Sequence, residues 1–286
     1  MSLKTLLKNG TLLALAFLLM GLSSWESLLI PRKQLWEHWI ENDPFATFTI
    51  GHDAWDGLLK RYLSTDSEGI NRFDYAGVTD ADKELLRSYV QSLASVPIER
   101  YRQDEQLAYW INLYNALTVL VVLEHYPVES IRDIDISPGI FGVGPWGKKL
   151  VTIDGQDISL NDIEHRILRP IWKDPRVHYA LNCASLGCPN LRGEAYTGNN
   201  VQSALTEAAR AFINSPRAAR QTPEGLLVSS IYVWFAEDFG GDDEGILTHL
   251  LAYADTPLRS QLSGVREIAD HDYDWRLNDP RREVTP

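Results

Sequence analysis

The sequence predicts an α+β fold, in which a small antiparallel sheet packs against helices around one central buried helix. Three observations support this prediction. Residues 106–126 are apolar on almost every face of a helix, which is typical of the helix at the centre of a domain. Short strand-like and helical segments follow one another without the regular alternation that a parallel sheet requires. Hydrophobic residues make up 44% of the 286 residues, which is enough to bury a sizeable core.

The first residues have the pattern of an export signal. Lys4 and Lys8 precede an apolar run at residues 11–22, whose length of about 12 residues is too short for an ordinary transmembrane helix. We therefore expect residues 1–24 to be a signal peptide or an N-terminal anchor, and the protein to be periplasmic or extracellular. No Ala-x-Ala site follows the run, so cleavage and retention in the inner membrane both stay open.

The rest of the chain divides into two parts. Residues 25–50 are rich in tryptophan and irregular, and we expect this lead-in segment either to pack onto the domain or to offer a surface to a partner. Residues 51–286 are expected to form a single globular domain.

Apolar spacing and helix-breaking residues place the elements of this domain. The predicted helices, besides the central one, are residues 52–63, 80–94, 159–169, 199–214 and 245–253. The predicted strands are residues 70–75, 149–153, 156–158, 177–182, 226–230 and 265–275. Asp154-Gly155 joins two of these strands in a tight hairpin turn.

The central helix carries two asparagines, Asn112 and Asn115, on one face. Two polar side chains within a stretch of about 20 residues disfavour a transmembrane helix. Buried amide side chains need hydrogen-bond partners. The two asparagines are therefore predicted either to hold the backbone of neighbouring loops or, in one case, to orient a binding site.

The composition disfavours several classes of partner. A formal net charge of −12 and a pI near 5.0, without a cluster of Lys and Arg, argue against nucleic-acid binding. The glycine-rich segment 139–147 lacks the Lys-Ser/Thr ending of a phosphate loop, so we expect no nucleotide cofactor. The cysteines and histidines lack a zinc spacing, so we expect no metal. Contact with a membrane is expected only through the N-terminal segment.

Both cysteines of the chain lie within residues 176–189. A strand at the start of this stretch would place His178 and Asn182 on one face and apolar side chains on the other. The glycine and proline that follow end the strand and leave Cys183 at a bend, where a reactive thiol could lie. Because His178 and Cys183 are five positions apart, the strand has to end or bulge near Asn182 for their side chains to meet.

A buried acid is predicted on the helix that precedes this stretch. A helical wheel over residues 160–168 places Glu164 inside the apolar stripe and His165 outside it. A lone buried carboxylate costs several kcal/mol unless it is paired or protonated, so Glu164 requires a partner, and His178 is the natural one. Cys183, His178 and Glu164 would then be the nucleophile, base and orienting acid of a thiol enzyme. His165 is the reserve base.

Other interpretations of the two cysteines stay open. Export to an oxidising compartment would permit a structural Cys183–Cys188 disulfide, which would make the protein a non-catalytic binding module of the cell envelope. The Cys-x4-Cys spacing also permits a thiol-redox protein.

Several long motifs occur together in a fixed order. They are residues 109–116, 163–169 and 177–189, followed by 273–278 near the C-terminal end. In this combination the chain resembles the family called domain of unknown function 547. The resemblance covers roughly residues 70–215 as a core, and the last motif resembles the closing motif of the family.

This family is similar in architecture to papain-like cysteine hydrolases. The resemblance implies a Glu-His-Cys set at Glu164, His178 and Cys183, although His165 also matches the pattern. Ala184 stands where members commonly have glycine, a change that bears on the backbone N–H geometry of an oxyanion hole. We therefore expect a hydrolase or acyl-transferase that acts on an amide bond, with a peptide or cell-envelope peptide as substrate. Backbone N–H groups of the cysteine turn would receive the oxyanion, and His178 would protonate the leaving amine.

Overall fold

The computed structural model describes residues 31–139 and 143–282. The predicted export segment, residues 1–24 with its apolar run at 11–22, lies outside the described residues. Its role and the predicted location of the protein stay predictions.

The described residues form an α+β fold. Its helices are α1 Asp53–Tyr62, α2 Asp80–Ala94, α3 Gln103–His125, α4 Arg169–Trp172, α5 Val201–Ile213, α6 Ser230–Trp234, α7 Asp243–Tyr253 and α8 Thr256–Leu262. Its strands are β1 Leu63–Thr65, β2 Asn71–Phe73, β3 Lys149–Ile153, β4 Gln156–Ser159, β5 Ala219–Thr222, β6 Gly225–Ser229 and β7 Asp270–Asp272. A π-helix, Asp162–Leu168, leads directly into α4.

The predicted central helix is α3, and every residue from Glu105 to Val122 is buried. Among the described residues it is the one helix long and apolar enough to cross a membrane, yet 94% of its most apolar window is buried within the protein. Burial on every face explains why its sequence has no polar side.

Elements with strong local signals form where the sequence places them. Helix α2 begins at Asp80 because the Thr79 hydroxyl accepts a hydrogen bond from the Asp82 amide at 3.1 Å. Strands β3 and β4 form the predicted hairpin. Asp154 and Gly155 at its turn have φ angles of 45° and 70°, as a type I′ turn requires.

The small antiparallel sheet predicted from the sequence is in fact three small sheets. Strands β1 and β2 form one antiparallel pair, β3 and β4 a second, and β5, β6 and β7 a third sheet. The β6–β7 pair is parallel, so the expectation of a purely antiparallel arrangement is wrong for this sheet. The predicted strand 265–275 is regular only at Asp270–Asp272, because the following residues bind the cysteine turn instead.

Two apolar clusters support the fold. One surrounds α3 and includes the buried apolar side chains of α1, α2 and the π-helix. The other contains Tyr179 and side chains of α5, β6 and α7. The cysteine stretch runs between them, because Val177 belongs to the first cluster and Tyr179 to the second.

The described part of the lead-in segment packs onto the domain. Trp39 is buried, and its ring meets that of Trp110 edge-on at a centroid distance of 5.1 Å. The segment also presents exposed apolar side chains, among them Phe45 and Phe48, which are 90% and 61% exposed. Part of the segment thus packs onto the domain, whereas a partner surface on the rest of it stays a prediction.

Candidate active-site cavity

The helix that carries Glu164 and His165 is a π-helix, and a proline accounts for it. Pro170 has no N–H group and cannot continue an α-helical ladder. The Arg169 amide donates to the Glu164 carbonyl, five residues back, instead of to the His165 carbonyl. The prediction that the helix ends before Pro170 is wrong, because the wider turn carries it past the proline into α4.

The π-turn leaves helix carbonyl groups that the lead-in segment satisfies. The usual donors to the carbonyls of His165 and Arg166 would be Arg169, which is engaged elsewhere, and Pro170, which has no N–H. Backbone N–H groups of the lead-in segment take their place, from Gln34 to His165 at 3.0 Å and from Trp36 to Arg166 at 2.9 Å. The lead-in segment is thus bonded directly to the helix that forms the site.

The burial of the two residues on this helix differs in part from the helical-wheel prediction. Glu164 is buried, as predicted. His165 was expected outside the apolar stripe but is also buried, with 4% of its surface exposed. The wheel assumed 100° per residue, and the wider π-turn does not keep that spacing.

The predicted strand 177–182 is wrong. Residues Pro175–Tyr179 form a 3-10 helix, which begins because the Asp174 carboxylate accepts a hydrogen bond from the Arg176 amide at 2.9 Å. Pro175 at its first position favours the same turn. His178 and Asn182 therefore do not share a strand face, although both are buried.

Asn115 and Asn182 shape the cysteine turn from behind. Asn115 donates to the Ala180 carbonyl and accepts from the Asn182 amide, both at 2.9 Å. The Asn182 side chain accepts from the Ala184 amide and donates to the Pro189 carbonyl, again at 2.9 Å. These bonds fix the path of the chain around Cys183.

Asn112 holds a different loop. Its amide exchanges two hydrogen bonds with the backbone of Tyr196, at 2.7 and 3.0 Å, and contacts the His52 ring at 3.3 Å. Of the two asparagines of the central helix, Asn115 acts on the cysteine turn together with Asn182, and Asn112 does not.

Cys183 and Cys188 form a disulfide bond. Cys188 is 3% exposed and Cys183 is half-buried. The hydroxyl of Tyr273 lies 3.0 Å from the Cys183 sulfur and 3.1 Å from the Cys188 sulfur. Ala184 has a φ of 59°, a left-handed conformation that glycine adopts more easily than alanine. Cys183 can act as a thiol only after the disulfide is reduced.

His178 lies between two carboxylates. Its Nε2 is 2.9 Å from an Asp238 oxygen, and its Nδ1 is 3.6 Å from a Glu164 oxygen. The Phe235 ring stacks on the imidazole at 4.3 Å. The predicted Glu164–His178 pair is therefore present, but Asp238 is the nearer acid. No hydrogen bond joins the His178 ring to Cys183 among the residues that the structure describes.

The charged groups of this cluster lower the pKa of two carboxyl groups. Burial raises the pKa of Glu164, but the two neighbouring histidines and Arg169 outweigh it and lower that pKa to about 2. Burial also opposes ionisation of Asp238, yet hydrogen bonds from His178 and Lys33 hold its pKa well below the usual range. Both groups are carboxylates at neutral pH.

Sequence reasoning missed Asp238. Asp238 follows His178 by 60 positions in the sequence, with β5 and β6 between them. It also binds Lys33 at 2.8 Å and Arg169 at 2.6 Å. No local pattern of residue types connects it to the cysteine stretch, because the contact is made entirely by the tertiary fold.

A cavity of about 500 Å³ opens beside the cysteine turn. The four predicted catalytic residues, Cys183, His178, Glu164 and His165, all line it. Its walls are largely apolar and include six aromatic side chains, those of Tyr114, Trp146, Trp234, Phe235, Tyr273 and Trp275. The structure thus brings the predicted residues to one concave site of the size and lining typical of ligand pockets.

Comparison with known families agrees with the motifs. Residues 98–213 match the model of a family described as protein of unknown function, DUF547. This part of the chain is a DUF547 domain. No curated protein and no solved structure matches the chain. The likeness to papain-like hydrolases therefore stays a prediction.

The DUF547 domain does not contain the whole cavity. The match includes α3, the π-helix and the cysteine turn, and therefore all four predicted catalytic residues. Asp238, Trp234 and Tyr273 lie beyond it, and Pro31 of the lead-in segment lies before it. Segments on both sides of the DUF547 domain complete the site.

The backbone N–H groups of the cysteine turn do not form the expected oxyanion hole in the disulfide form. The Cys183 amide donates to the Cys188 sulfur, and the Ala184 amide donates to the Asn182 side chain, each at 2.9 Å. The amides of Leu186 and Gly187 donate to backbone carbonyls at 2.9 and 2.8 Å. These four donors of the DUF547 domain already have partners.

Metal-ligand geometry is also lacking in the described parts of the chain. No group of three or more His, Cys, Asp and Glu side chains within residues 31–139 and 143–282 is placed to hold a metal ion.

Proposed function

We propose that this protein is a cysteine-dependent hydrolase or acyl-transferase that acts on an amide bond, with reduced Cys183 as the nucleophile. One observation carries the proposal. The Cys183 side chain lines the same aromatic-walled cavity as the buried Glu164 and His178 pair. A nucleophile, a proton carrier and its orienting acids are thereby collected around one ligand-sized space.

The first step of the proposed cycle is reduction of the disulfide. An external dithiol attacks a sulfur of the Cys183–Cys188 bond, and the exchange ends with two protein thiols and an oxidised dithiol. Cys183 is the more accessible of the two cysteines, so attack at its sulfur is favoured. The exchange makes the enzyme active in a reducing environment and latent in an oxidising one.

Acyl transfer then follows the chemistry of thiol enzymes. His178 takes the proton of the Cys183 thiol, the thiolate attacks the amide carbon, the C–N bond breaks, and the amine leaves with that proton from His178. Water hydrolyses the resulting thioester to a carboxylic acid and the free thiol, or an acceptor amine takes the acyl group. Asp238 holds Nε2 of His178 at 2.9 Å, whereas Glu164 lies 3.6 Å from Nδ1. The proposed cycle therefore uses Nδ1, the ring nitrogen with the longer contact, to exchange a proton with the cavity.

The cavity walls indicate the kind of amide. Trp146, Trp234 and Trp275 offer wide apolar faces, which favour an aromatic or large aliphatic group beside the scissile bond. A peptide or cell-envelope peptide with such a side chain satisfies this condition.

A thiol-redox function is the second candidate, and the disulfide itself favours it. A half-buried cysteine bonded to a buried one is the arrangement of exchange-active dithiols, in which the accessible sulfur is attacked and the buried one resolves. A binding module with a purely structural disulfide would use the same cavity without chemistry.

Two cysteine variants separate these functions. Peptide amides with an aromatic residue before a fluorogenic leaving group are incubated with the wild type, Cys183→Ala and Cys188→Ala, each with and without dithiothreitol. For a hydrolase, the wild type needs the reductant, Cys188→Ala is active without it, and Cys183→Ala is inactive in both conditions.

Other outcomes point elsewhere. A redox protein loses disulfide exchange in both variants and cleaves no amide. A binding module binds the peptide equally in all three proteins. Amide cleavage that persists in Cys183→Ala would exclude Cys183 as the nucleophile.

A further inference from the structure

The tautomer of His165 is fixed by an arginine. Nη1 of Arg169 lies 3.0 Å from Nδ1 of His165. A guanidinium group only donates hydrogen bonds and keeps its protons at every physiological pH. Nδ1 of His165 therefore accepts, and it cannot carry a hydrogen atom while the contact is made.

Arg169 is itself held in place. Its side chain is 2% exposed, its Nε donates to Asp238 at 2.6 Å, and its Nη2 donates to Glu237 at 2.7 Å. Three contacts in the plane of one guanidinium leave it little freedom to turn away from His165.

The charged groups around His165 keep its ring neutral. Burial and the positive charge of Arg169 lower the pKa of His165 to about 4, against the opposing effects of Glu164 and Asp238. His178 adds to the lowering. A neutral ring with an accepting Nδ1 carries its hydrogen on Nε2.

The Nε2 group of His165 has no hydrogen-bond partner in the part of the chain that the structure describes. No hydrogen bond is formed by Nε2 of His165 to any residue of the described ranges, and His165 lines the cavity. The amides of Cys183, Ala184, Leu186 and Gly187 in the cysteine turn are engaged, so these four do not donate to an amide carbonyl in the cavity. A donor on His165 supplies what those amides do not.

We infer that His165 is a fixed hydrogen-bond donor, not a base, and that its Nε2–H binds the carbonyl oxygen of a ligand in the cavity. The carboxylate of Glu164, the adjacent residue, is an acceptor that lines the same space. A secondary amide matches both groups, because its oxygen can accept from His165 and its N–H can donate to Glu164. The choice of an amide rests on the proposed function, whereas the donor role of His165 rests on Arg169.

Nuclear magnetic resonance tests the tautomer without turnover. The full-length protein is labelled with ¹⁵N-histidine, and long-range ¹H–¹⁵N spectra are recorded from pH 5.5 to 8, with His165→Gln used for assignment. The expected result is an Nε2–H tautomer of His165 throughout this range. An Nδ1–H tautomer, or protonation of this ring near pH 6.5, would overturn the inference.

A matched pair of arginine variants tests the cause. Arg169→Met removes the donor to His165, and Arg166→Met removes an arginine of the same helix that binds Asp162 instead. We expect a mixture of tautomers only in Arg169→Met. If Arg169→Met does not fold, Arg169→Gln serves, since a glutamine amide can accept from His165 as well as donate to it and so no longer fixes the tautomer. An unchanged tautomer in the folded variant would show that Arg169 does not set it.

Binding of N-acetyl-phenylalaninamide tests the ligand contact. All measurements use the Cys183→Ala background, so the result does not depend on hydrolysis. His165→Gln retains an amide donor, and we expect it to bind the probe within about threefold of the parent. His165→Leu has no donor and is expected to bind about tenfold more weakly, the worth of one hydrogen bond.

The two proposals can fail separately. Equal affinity in His165→Leu, or no binding of the probe to the parent, would refute the carbonyl contact. The proposed function would be refuted if the reduced wild type cleaved no amide. The role of His165 would still hold if its Nε2–H tautomer were fixed and the probe bound as expected.

Discussion

Asp238 lies closer to the His178 ring than Glu164 does, with an Oδ2–Nε2 distance of 2.9 Å against an Oε1–Nδ1 distance of 3.6 Å. Asp238 also joins Lys33 of the lead-in segment and Arg169 of α4. One carboxylate thus connects three distant parts of the chain. Asp238 therefore holds these parts of the chain together, a role that no sequence motif indicates.

Replacement of Asp238 should destabilise the protein strongly. Asp238→Asn leaves Arg169, which is 2% exposed, without its nearest counter-charge. Breaking a buried ion pair costs about 3 kcal/mol or more of unfolding free energy. Glu237→Gln is the matched control, since Glu237 pairs with the same arginine but is 54% exposed. We expect it to cost less than about 1 kcal/mol. Urea denaturation measures both, and equal costs would contradict the assigned importance of Asp238.

Stability should fall as the pH drops below the ordinary pKa of histidine. Burial lowers the pKa of His52 to about 4, against the raising effects of Asp56 and Asp53. Below pH 6.5 the unfolded state binds a proton that the folded state does not, so the folded state loses stability down to about pH 4. One such group contributes a slope of about 1.4 kcal/mol per pH unit.

Denaturation of His52→Gln at several pH values tests this prediction. The ring of His52 binds Tyr89 at 2.7 Å, so the variant is expected to be less stable than the wild type at pH 7.5. Between pH 6.5 and 5, the unfolding free energy of the variant should nevertheless fall less steeply with pH than that of the wild type. The difference in slope should correspond to close to one bound proton. A slope identical to that of the wild type would exclude His52 as a source of acid sensitivity.

The disulfide should contribute moderately to stability. Cys183 and Cys188 are five positions apart, and closing so short a loop stabilises the folded state by about 2 kcal/mol. We expect dithiothreitol to lower the urea midpoint of the wild type without changing the slope. The double variant Cys183→Ala/Cys188→Ala, denatured in both conditions, is the control and should not respond to the reductant. A wild type that is equally stable in both conditions would mean that the bond is not formed in solution.

The sequence was sufficient where the signal was local. The helical spacing of apolar residues defined α2, the apolar character of almost every face defined α3, and Asp154-Gly155 specified the hairpin of β3 and β4. The burial of Glu164 followed from the same kind of spacing, even though the helix is of the π type. These features depend on residues within one or two turns of each other.

Long-range contacts and competing local signals explain the differences. The alternating pattern of 177–182 suggested a strand, but Asp174 and Pro175 start a helical turn first. Pro170 suggested a helix end, but N–H groups of the lead-in segment stabilise the π-turn from more than 100 residues away. The Tyr273 hydroxyl contacts the two sulfurs although Tyr273 lies 90 and 85 positions from Cys183 and Cys188 in the sequence. No spacing in a single sequence reports such contacts.

The two asparagines of α3 should differ in their effect on Cys183. Asn115→Ala removes two hydrogen bonds that fix the cysteine turn at Ala180 and Asn182. Asn112→Ala removes two bonds of the same kind from the backbone of Tyr196. Because each leaves buried backbone groups without partners, both variants should lose about 2 to 3 kcal/mol of unfolding free energy.

Only Asn115→Ala should also change the reactivity of the thiol. In reduced protein the rate of alkylation of Cys183 by iodoacetamide depends on how the turn presents the sulfur to the cavity. We expect this rate to change severalfold in Asn115→Ala and to stay at the wild-type value in Asn112→Ala, with mass spectrometry identifying the alkylated residue. The matched loss of stability removes global unfolding as an explanation. Equal rates in the two variants would show that Asn115 supports the fold alone and does not position Cys183.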